Sequence, residues 1–302
     1  MTATLTICTY NRSKYLGPLL ESIALNDYDK SCFEILVVDN NSTDATPEVC
    51  RAFQSAHPDV AFRYEEEHIQ GLSAARNKGI SEASGDIILF VDDDALVDKH
   101  YIGYYMQYFA DHPEVMAAGG PIQPQYETSE PSWMTNYTRA LLCGWMYYGS
   151  EVRSYPTGRY PGGGNTAYRR EVFSRVGLFN TELGRKGSSL MASEEKDIFD
   201  KMANLGMPVR YLPGPVLHHI IPQYKLERDY FNRLTLQIGI SEHKRTLALS
   251  KRKYLRRLFD ESIKWGGTLV LLAGYSLHLV PMKGWKLVQF RCNVTRGLLF
   301  GK

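Results

Sequence analysis

The first half of this 302-residue sequence predicts an α/β fold built on a parallel, Rossmann-like sheet. Short apolar runs rich in Ile, Val and Leu alternate there with longer amphipathic stretches. Such runs indicate strands that are buried on both faces of a parallel sheet. The composition, 44% apolar and 23% charged, is ordinary for a globular protein and excludes disorder as the main state.

The predicted elements follow one another in a regular order. Strands are expected at residues 5–8, 34–38, 60–64 and 86–91. Amphipathic periodicity predicts helices at residues 13–25, 45–55 and 73–83. Right-handed crossovers bring the loops after such strands to one edge of the sheet, where open α/β sheets bind their ligands.

Three polar segments follow predicted strands and should therefore share that edge. They are CTYNR at residues 8–12, DNNSTD at 39–44 and DDD at 92–94. Adjacent carboxylates raise each other's pKa, so three in a row suggest a bound cation, with a solvated helix cap as the alternative. Because the usual glycine loops for nucleotide phosphates are missing, an anionic nucleotide here would need Mg²⁺ or Mn²⁺.

The middle of the chain changes character and supplies further candidates. Residues 119–165 are rich in Gly, Pro, Tyr and Trp and end in a GGGN run, whose backbone N–H groups can approach a ligand closely. We expect an ordered loop that enters a helix there, rather than a flexible linker. The EEKD stretch at 194–197 starts a helix whose dipole favours acidic residues in any case. His218 and His219 are either a packed pair or ligands.

The C-terminal region is basic and partly apolar. Residues 244–302 contain 13 lysines and arginines but two acidic residues, while the whole chain has a net charge of +2. Residues 265–282 lack charged side chains, but Gly266, Gly267 and a proline should shorten the helical core to residues 268–280. We expect helices that lie on an anionic membrane surface; a soluble helical subdomain and a true span are the alternatives.

The cysteines and the N-terminus bear on the compartment. Five cysteines, an odd number without CxxC spacing, argue against a disulfide framework and suit a reducing compartment. The N-terminus shows no secretory signal pattern. We therefore expect the protein in the cytoplasm, at the inner face of the cell membrane, and no recognition motif suggests a nucleic-acid partner.

Six stretches of this sequence, in this order, resemble the nucleotide-sugar-dependent glycosyltransferases of family 2, which have the GT-A fold. They are TICTYNR, EILVVDNNSTDAT, GLSAARNKGISEASGDIILFVDDDA, GGGNTAYRREVF, SEEKDIF and HHIIP. The resemblance implies a GT-A domain at residues 1–222, in which a nucleotide-sugar-binding half (1–118) merges with an acceptor-binding and catalytic half (119–222). Residues 223–302 lie outside the resemblance, and their own pattern predicts a basic amphipathic helical C-terminal extension.

The resemblance implies roles for the residues at the sheet edge. Tyr10 would stack on the nucleotide base, and Asp39 would accept a hydrogen bond from a uracil or the ribose. Arg76 would face the base or the diphosphate. Asp92, nearer the ribose, and Asp93 would lie on the nucleotide side.

The same resemblance implies a metal site and a catalytic pair. Asp94 would be the direct ligand of Mg²⁺ or Mn²⁺, with Asp92 beside it and His219 completing the shell, or His218 in its place. The backbone of Gly163 and Gly164 and the side chain of Asn165 would contact the donor sugar. Glu195 would be the base that deprotonates the acceptor hydroxyl, with Glu194 as the alternative, so that the reaction inverts the anomeric carbon.

The leading hypothesis is therefore a metal-dependent inverting glycosyltransferase. It would move a sugar from a nucleoside diphosphate sugar, with uridine favoured, to a saccharide or lipid-linked acceptor for a surface polysaccharide. One alternative is a nucleotidyltransferase, which leaves the GGGN and EEKD stretches without a role. The other is a non-catalytic module that binds a nucleotide sugar or a lipid.

Overall fold

The computed structural model describes residues 1–156, 158–184 and 194–301. Within them the strands are β1 (Ala3–Thr9), β2 (Phe33–Asp39), β3 (Ala61–Glu66), β4 (Ile87–Asp92), β5 (Ala95–Val97), β6 (Ala117–Gly119), β7 (Ile122–Tyr126), β8 (Arg153–Ser154), β9 (Asn165–Arg169), β10 (Val209–Tyr211) and β11 (Leu217–Ile221). The helices are α1 (Ser13–Ala24), α2 (Thr46–Ala56), α3 (Leu72–Glu82), α4 (Tyr101–Asp111), α5 (Asn136–Cys143), α6 (Glu171–Val176), α7 (Glu194–Asn204), α8 (Gln223–Leu226), α9 (Arg228–Leu249), α10 (Lys251–Leu277) and α11 (Pro281–Phe300), and a 3₁₀ turn spans Lys30–Cys32. Every strand and helix predicted before residue 92 lies within two residues of an observed one.

The described strands form one large mixed sheet and one small sheet. The large sheet has the order β3-β2-β1-β4-β9-β6-β10-β8, and β5-β11-β7 form the small one. Strands β3, β2, β1 and β4 are parallel to one another, whereas β9 runs antiparallel to both β4 and β6. The predicted α/β fold and its parallel half are confirmed, and the antiparallel strands make the complete sheet mixed.

The parallel strands are apolar throughout because helices cover both faces of the sheet. Leu5, Ile35 and Leu89 are inaccessible to solvent and pack in one cluster with side chains of α1, α2 and α4. Ile88 and Phe90 point to the opposite face, where they pack against α3, α6 and α7. Successive side chains of β4 therefore enter two different cores, as strand geometry requires.

The segment after the glycine run is a strand, which corrects the expected loop into a helix. Asn165–Arg169 insert as β9 between β4 and β6, and α6 begins only at Glu171. Ala167 packs in the cluster of α1 and α4, and Tyr168 packs on the opposite face with α6 and α7. Both residues are buried by the sheet, an effect that the short sequence pattern does not reveal.

The chain divides into two compact units. The first comprises residues 1–125 and 144–220, and the second comprises residues 126–143 and 221–302. This division groups residues 126–143 with the C-terminal helices, whereas the sequence assigned them to the segment 119–222.

Helix α10 is longer than the sequence predicts. The sequence predicts a helical core at residues 268–280 that begins after Gly266 and Gly267, but both glycines lie inside Lys251–Leu277. Each glycine costs about 1 kcal/mol relative to alanine in a helix, and tertiary contacts on either side offset that cost. Trp265 donates its indole N–H to Thr295 Oγ1 over 2.9 Å, and Thr268 is buried. Within the described residues, none of the helices combines the length and hydropathy that crossing a bilayer requires.

Helix α3 lies against β1 at Gly79. A Cβ atom at Gly79 would lie 2.3 Å from Thr6 Cγ2, so the helix needs glycine to approach the strand this closely. We expect Gly79→Ala to lower the free energy of unfolding by about 1–3 kcal/mol in urea denaturation, because the helix must shift or the core must strain.

A matched glycine tests this explanation. A Cβ atom at Gly103 in α4 would meet its nearest atom, Tyr28 Cδ2, at an ordinary 3.7 Å. Gly103→Ala should therefore leave stability unchanged or raise it by about 0.5–1 kcal/mol. Thr6→Ser, which removes the obstructing methyl group, should recover part of the loss in Gly79→Ala. Equal losses for the two glycine variants would contradict the packing argument.

Candidate active site

The loops that follow β1 and β2 are joined by hydrogen bonds. The backbone N–H of Asn11 donates to Ser42 Oγ over 2.9 Å, and the N–H of Thr43 donates to Asn11 Oδ1 over 2.7 Å. Asn11 has a φ of 53°, a left-handed conformation that asparagine tolerates better than most residues. The loop that carries the exposed ring of Tyr10 is thus fixed against the neighbouring loop.

Asp44 holds the starts of two helices at the same edge. Its carboxylate accepts the backbone N–H of Ser13 over 2.9 Å and that of Thr46 over 3.1 Å. Although burial opposes the effect, hydrogen bonds from Thr46 and Ser13 lower the pKa of Asp44 to about 2. The charged carboxylate thereby satisfies backbone donors at the first turns of α1 and α2.

Asp39, at the end of β2, borders a cleft of about 280 Å³. The Tyr64 hydroxyl donates to Asp39 Oδ2 over 2.6 Å, and the Ser42 N–H donates to Oδ1 over 2.9 Å. Asn41 and His68 also line this cleft. Burial and the bond to Asp39 raise the pKa of Tyr64, so its hydroxyl remains a donor at neutral pH. The cleft offers polar groups suited to a nucleoside.

Asp94 lies between two basic side chains. Arg12 Nη1 is 2.6 Å from Asp94 Oδ2, and His219 Nε2 is 3.3 Å from Asp94 Oδ1. The carboxylate of Asp94 is almost inaccessible to solvent. Burial raises the pKa of Asp93 to about 7, with Arg12 opposing and Asp94 adding to the effect. The DDD segment therefore concentrates negative charge that a cation would stabilise.

The donor set fits a divalent cation only in part. Among the described residues, no three His, Cys, Asp or Glu side chains are grouped as a metal site, so the predicted set of Asp92, Asp94 and His219 is not formed by the protein alone. Asp94 and His219 are in contact, whereas Asp92 lies against Gly164. A carboxylate oxygen and an imidazole nitrogen suit Mn²⁺, and phosphate oxygens could supply further ligands.

The two adjacent histidines contact different carboxylates. His218 Nε2 is 2.9 Å from Asp98 Oδ1, while His219 faces Asp94. Successive side chains of β11 point to opposite sides, and its pairing with β5 places His219 opposite Ala95. The structure thus brings His219, and not His218, to the DDD segment.

Arg76 joins the two glutamates at the start of α7. Its Nη1 atom lies 2.9 Å from Glu194 Oε1 and 2.9 Å from Glu195 Oε1. Its side chain is 4% exposed, whereas those of Glu194 and Glu195 are 2% and 17% exposed. Burial raises the pKa of Glu195, Arg76 opposes the effect and Glu194 adds to it. Arg76 contacts the catalytic candidates, whereas its predicted role was to face the base or the diphosphate.

The glycine run approaches these carboxylates too closely for any side chain. A Cβ atom at Gly163 would lie 1.9 Å from Glu195 Oε1 and 2.6 Å from Arg76 Nη2. At Gly164 it would lie 2.2 Å from Asp92 Oδ2. The run therefore passes between Glu195 and Asp92, and only glycine fits there.

The side chain of Asn165 lies in the core, which corrects the expectation that it reaches the donor sugar. Its Nδ2 donates to the carbonyl oxygens of Pro121 and Pro215 over 2.8 and 3.0 Å. Its Oδ1 accepts the hydroxyls of Tyr101 and Tyr105 over 2.8 and 2.7 Å. The amide has used its two donors and two acceptor positions, so Asn165 anchors the glycine run instead.

Sequence reasoning missed Arg12, Asn11 and Asp44. Arg12 stands inside the CTYNR segment and was passed over because its partner, Asp94, follows 82 positions later. Asp44 closes the DNNSTD segment, and a carboxylate two residues before Thr46 is itself a helix-start signal. Asn11 could have been found as an asparagine in a short loop after a strand.

Comparison with known families identifies the class of protein to which this chain belongs. The family model described as Glycosyl transferase family 2 matches residues 4–177, more than half of the chain. The chain belongs to glycosyl transferase family 2. This membership makes the protein a glycosyltransferase and decides against the nucleotidyltransferase hypothesis.

Two relatives are similar to this chain over most of its length. The glucosyl-dolichyl phosphate glucuronosyltransferase of Haloferax volcanii is 24% identical over 234 residues, which cover 76% of this chain and 72% of the relative. The succinoglycan biosynthesis protein ExoM of Rhizobium meliloti is 25% identical over 246 residues, 80% of this chain and 74% of the relative.

A solved structure shares the fold of this family 2 enzyme. The mannosyltransferase PcManGT of Pyrobaculum calidifontis, solved in complex with GDP-Man and Mn²⁺, superposes with a TM-score of 0.65 at 21% identity. The match covers 99% of this chain and 87% of that one. The likeness supports the GT-A fold that the sequence predicts.

Replacing Arg76 should expose the repulsion between the two glutamates. We expect Arg76→Gln to lower the free energy of unfolding by about 3–5 kcal/mol at neutral pH, because it removes the cation that both carboxylates contact. The pKa of Glu195, already raised, then rises further in the folded state only. Stability of the variant should therefore fall as pH increases from 5 to 8, more steeply than in the wild type.

Urea denaturation at several pH values measures both effects. Arg63→Gln is the matched control, because the side chain of Arg63 is 36% exposed and pairs with Glu65 and Glu82. Arg63→Gln should lower the free energy of unfolding by no more than about 1 kcal/mol. A pH dependence of Arg76→Gln that parallels the wild type would refute the proposed coupling.

Proposed function

We propose that this family 2 enzyme transfers a sugar from a nucleoside diphosphate sugar to an acceptor hydroxyl, with inversion at the anomeric carbon and Glu195 as the base. The observation that carries the proposal is the position of Glu195. Its carboxylate lies beside the backbone of Gly163, bonds to Arg76 and keeps 17% of its side chain exposed. A base must lie within hydrogen-bond reach of the acceptor hydroxyl that attacks the donor sugar, and this position supports that role.

Burial favours Glu195 over Glu194 as that base. Glu194 is 2% exposed, so an acceptor hydroxyl has little access to its oxygens. Glu195 has the more accessible carboxylate and a raised pKa, which makes it a stronger proton acceptor than an ordinary glutamate. Arg76 would hold its Oε1 in place and keep it ionised, leaving Oε2 for the acceptor.

The transfer would proceed in one displacement. Glu195 accepts the proton of the acceptor hydroxyl while the hydroxyl oxygen forms a bond to the anomeric carbon. The bond from that carbon to the diphosphate oxygen breaks on the opposite face, and its electron pair leaves with the diphosphate. Backbone groups of Gly163 and Gly164 line the sugar's position, because no side chain fits between Glu195 and Asp92.

The donor would bind along the carboxyl ends of β1, β2 and β4. The cleft beside Asp39 takes the nucleoside, and the exposed ring of Tyr10 stacks on the base. We favour uridine for the base. Because PcManGT was solved with GDP-Man, guanosine is the alternative that the ligand screen described below separates.

Asp94 and His219 would hold the divalent cation, Mn²⁺ or Mg²⁺, together with diphosphate oxygens. Such a cation supplies Lewis-acid stabilisation of the charge that develops on the leaving diphosphate. Arg12, now paired with Asp94, adds a second positive group at the same place. The Mn²⁺ in the PcManGT structure supports this assignment.

The acceptor would be a saccharide or a lipid-linked saccharide at the cytoplasmic membrane face, in surface polysaccharide synthesis. One relative is a glucosyl-dolichyl phosphate glucuronosyltransferase and another a succinoglycan biosynthesis protein. The excess of lysine and arginine in residues 244–302 is consistent with an anionic lipid surface.

Substituting the base should separate chemistry from binding. We expect Glu195→Gln to retain donor affinity and to lower sugar transfer by about 10²- to 10⁴-fold, because the amide cannot accept the acceptor's proton. Transfer is measured as release of nucleoside diphosphate with an acceptor that the wild type uses. Asp200→Asn, an exposed change on the same helix, should keep wild-type transfer. Full activity in Glu195→Gln, with loss in Glu194→Gln, would move the base to Glu194.

Ligand-induced stabilisation should reveal the donor base and the metal ligands. We expect one of UDP, GDP, dTDP or CMP to raise the melting temperature with Mn²⁺ or Mg²⁺ but not with EDTA. At one hundred times the dissociation constant the stabilisation is about 2.7 kcal/mol. Asp94→Asn and His219→Ala should lose it, whereas His218→Ala should keep it. An equal increase in melting temperature with EDTA would exclude a role for the metal in donor binding. No increase with any of the nucleotides would favour the non-catalytic hypothesis.

A further inference from the structure

Helix α10 exposes a continuous apolar face, which we call the α10 stripe. It consists of Leu255, Phe259, Ile263, Val270 and Leu277, each at least 60% exposed. The members are spaced four, four, seven and seven residues apart, so they share one side of the helix over about 33 Å. A row of large apolar side chains on a solvent-exposed surface indicates an interaction site.

The opposite face of α10 is already occupied. Glu261 is 2% exposed, and its two oxygens pair with Arg257 Nη1 over 2.8 Å and Arg291 Nη1 over 2.9 Å. Thr268 is buried, and Trp265 bonds to α11. The helix therefore has its own inward face, and the α10 stripe is additional to it.

Exposed apolar side chains also lie where α10 meets α11. We call them the α10–α11 tip: Leu279 in the turn, and Met282 and Trp285 in the first turns of α11. Leu279 is 88% exposed and has a φ of 58°, an unfavourable backbone region for a leucine. Met282 and Trp285 are 58% and 61% exposed. The fold thus holds three large apolar side chains in water at one end of the helical hairpin.

Positive charge accompanies this apolar surface. Lys251, Arg252, Lys253 and Arg256 are exposed beside the first member of the α10 stripe, and none pairs with a carboxylate among the described residues. Next to the tip, Lys286 borders a cleft of about 240 Å³ with Trp285, but its ammonium group lies over the rings of Trp133 and Phe231, so the charge comes from the four residues at the start of α10. Cations beside an apolar face match the headgroup region of an anionic bilayer, which offers phosphates and acyl chains together.

We propose that the α10 stripe and the α10–α11 tip dock the protein on an anionic membrane surface. The apolar side chains enter the boundary between headgroups and acyl chains, and the basic residues contact lipid phosphates. This surface deepens the membrane contact proposed for the enzyme, on which it rests, but it uses none of the catalytic assignments. A second copy of this chain would offer the stripe apolar contacts. Its matching surface is also basic, however, so it would offer no anionic partner.

Vesicle sedimentation tests the apolar contribution. The full chain should sediment with phosphatidylcholine vesicles that contain about one third phosphatidylglycerol, and much less with pure phosphatidylcholine. The triple variant Leu255→Gln, Phe259→Gln, Ile263→Gln should weaken binding at least about tenfold. The matched control replaces three exposed leucines of the other unit, Leu25→Gln, Leu178→Gln and Leu205→Gln, and should bind like the wild type.

The charge contribution has its own variant. Replacing Lys251, Arg252, Lys253 and Arg256 by glutamine should abolish the preference for phosphatidylglycerol and the sensitivity of binding to salt. Wild-type sedimentation of the triple variant would overturn the proposal. So would light scattering that shows the wild type as a dimer and the triple variant as a monomer, because the stripe would then serve a second copy.

Failure of the enzyme assignment is distinguishable from failure of this one. Stabilisation by a nucleoside diphosphate with Mn²⁺ depends on the first unit, so every α10 variant should retain it. Vesicle binding, in turn, should be unchanged in Glu195→Gln. A lower melting temperature would show that a triple variant without nucleotide stabilisation and vesicle binding has lost both because it is less stable. In that case the single change Phe259→Gln replaces it, and the proposal requires that Phe259→Gln alone weakens vesicle binding.

Discussion

The candidate site depends on the ion pairs that the buried guanidinium of Arg76 makes with two glutamates. Its Nη1 atom bonds to Glu194 and Glu195, and its Cζ atom lies 5.9 and 5.4 Å from the ring centres of Phe90 and Phe179. These contacts join α3 and β4 to the start of α7, which lies more than 100 residues later in the sequence. A buried cation between two carboxylates is costly unless all three charges are compensated, so the constellation fixes both its geometry and its electrostatics.

The same constraint explains the glycine run. Three charged groups surround a short stretch of backbone, and a side chain at Gly163 or Gly164 would displace Glu195 or Asp92. Asn165 closes the run and fixes it by four hydrogen bonds inside the core. The backbone thereby reaches the centre of the site while its anchor lies behind it. Gly163 and Gly164 allow the backbone to approach the charged groups closely, and the next residue, Asn165, holds that backbone in place.

The sequence predicted the parallel half of the sheet well, because buried parallel strands have a strong local signal. It did not predict β9, whose five residues become a strand only through pairing with β4 and β6. It also began the apolar helical core only after Gly266 and Gly267, at residue 268, because local propensity does not report the packing that carries a helix through two glycines. The three polar segments follow β1, β2 and β4 as the sequence predicts, but the pairing of side chains such as Arg12 and Asp94 requires the fold.

The alternation of side chains along β11 gives its histidines unequal positions. Because His219 pairs with Ala95 of β5, the imidazole beside Asp94 is selected by hydrogen-bond register and not by the local sequence, which offers two identical side chains. A slip of one residue would exchange them. In relatives, an insertion or deletion in the turn between β10 and β11 could therefore change which histidine faces Asp94 without changing either residue, and alignments across this turn should be made on strand register.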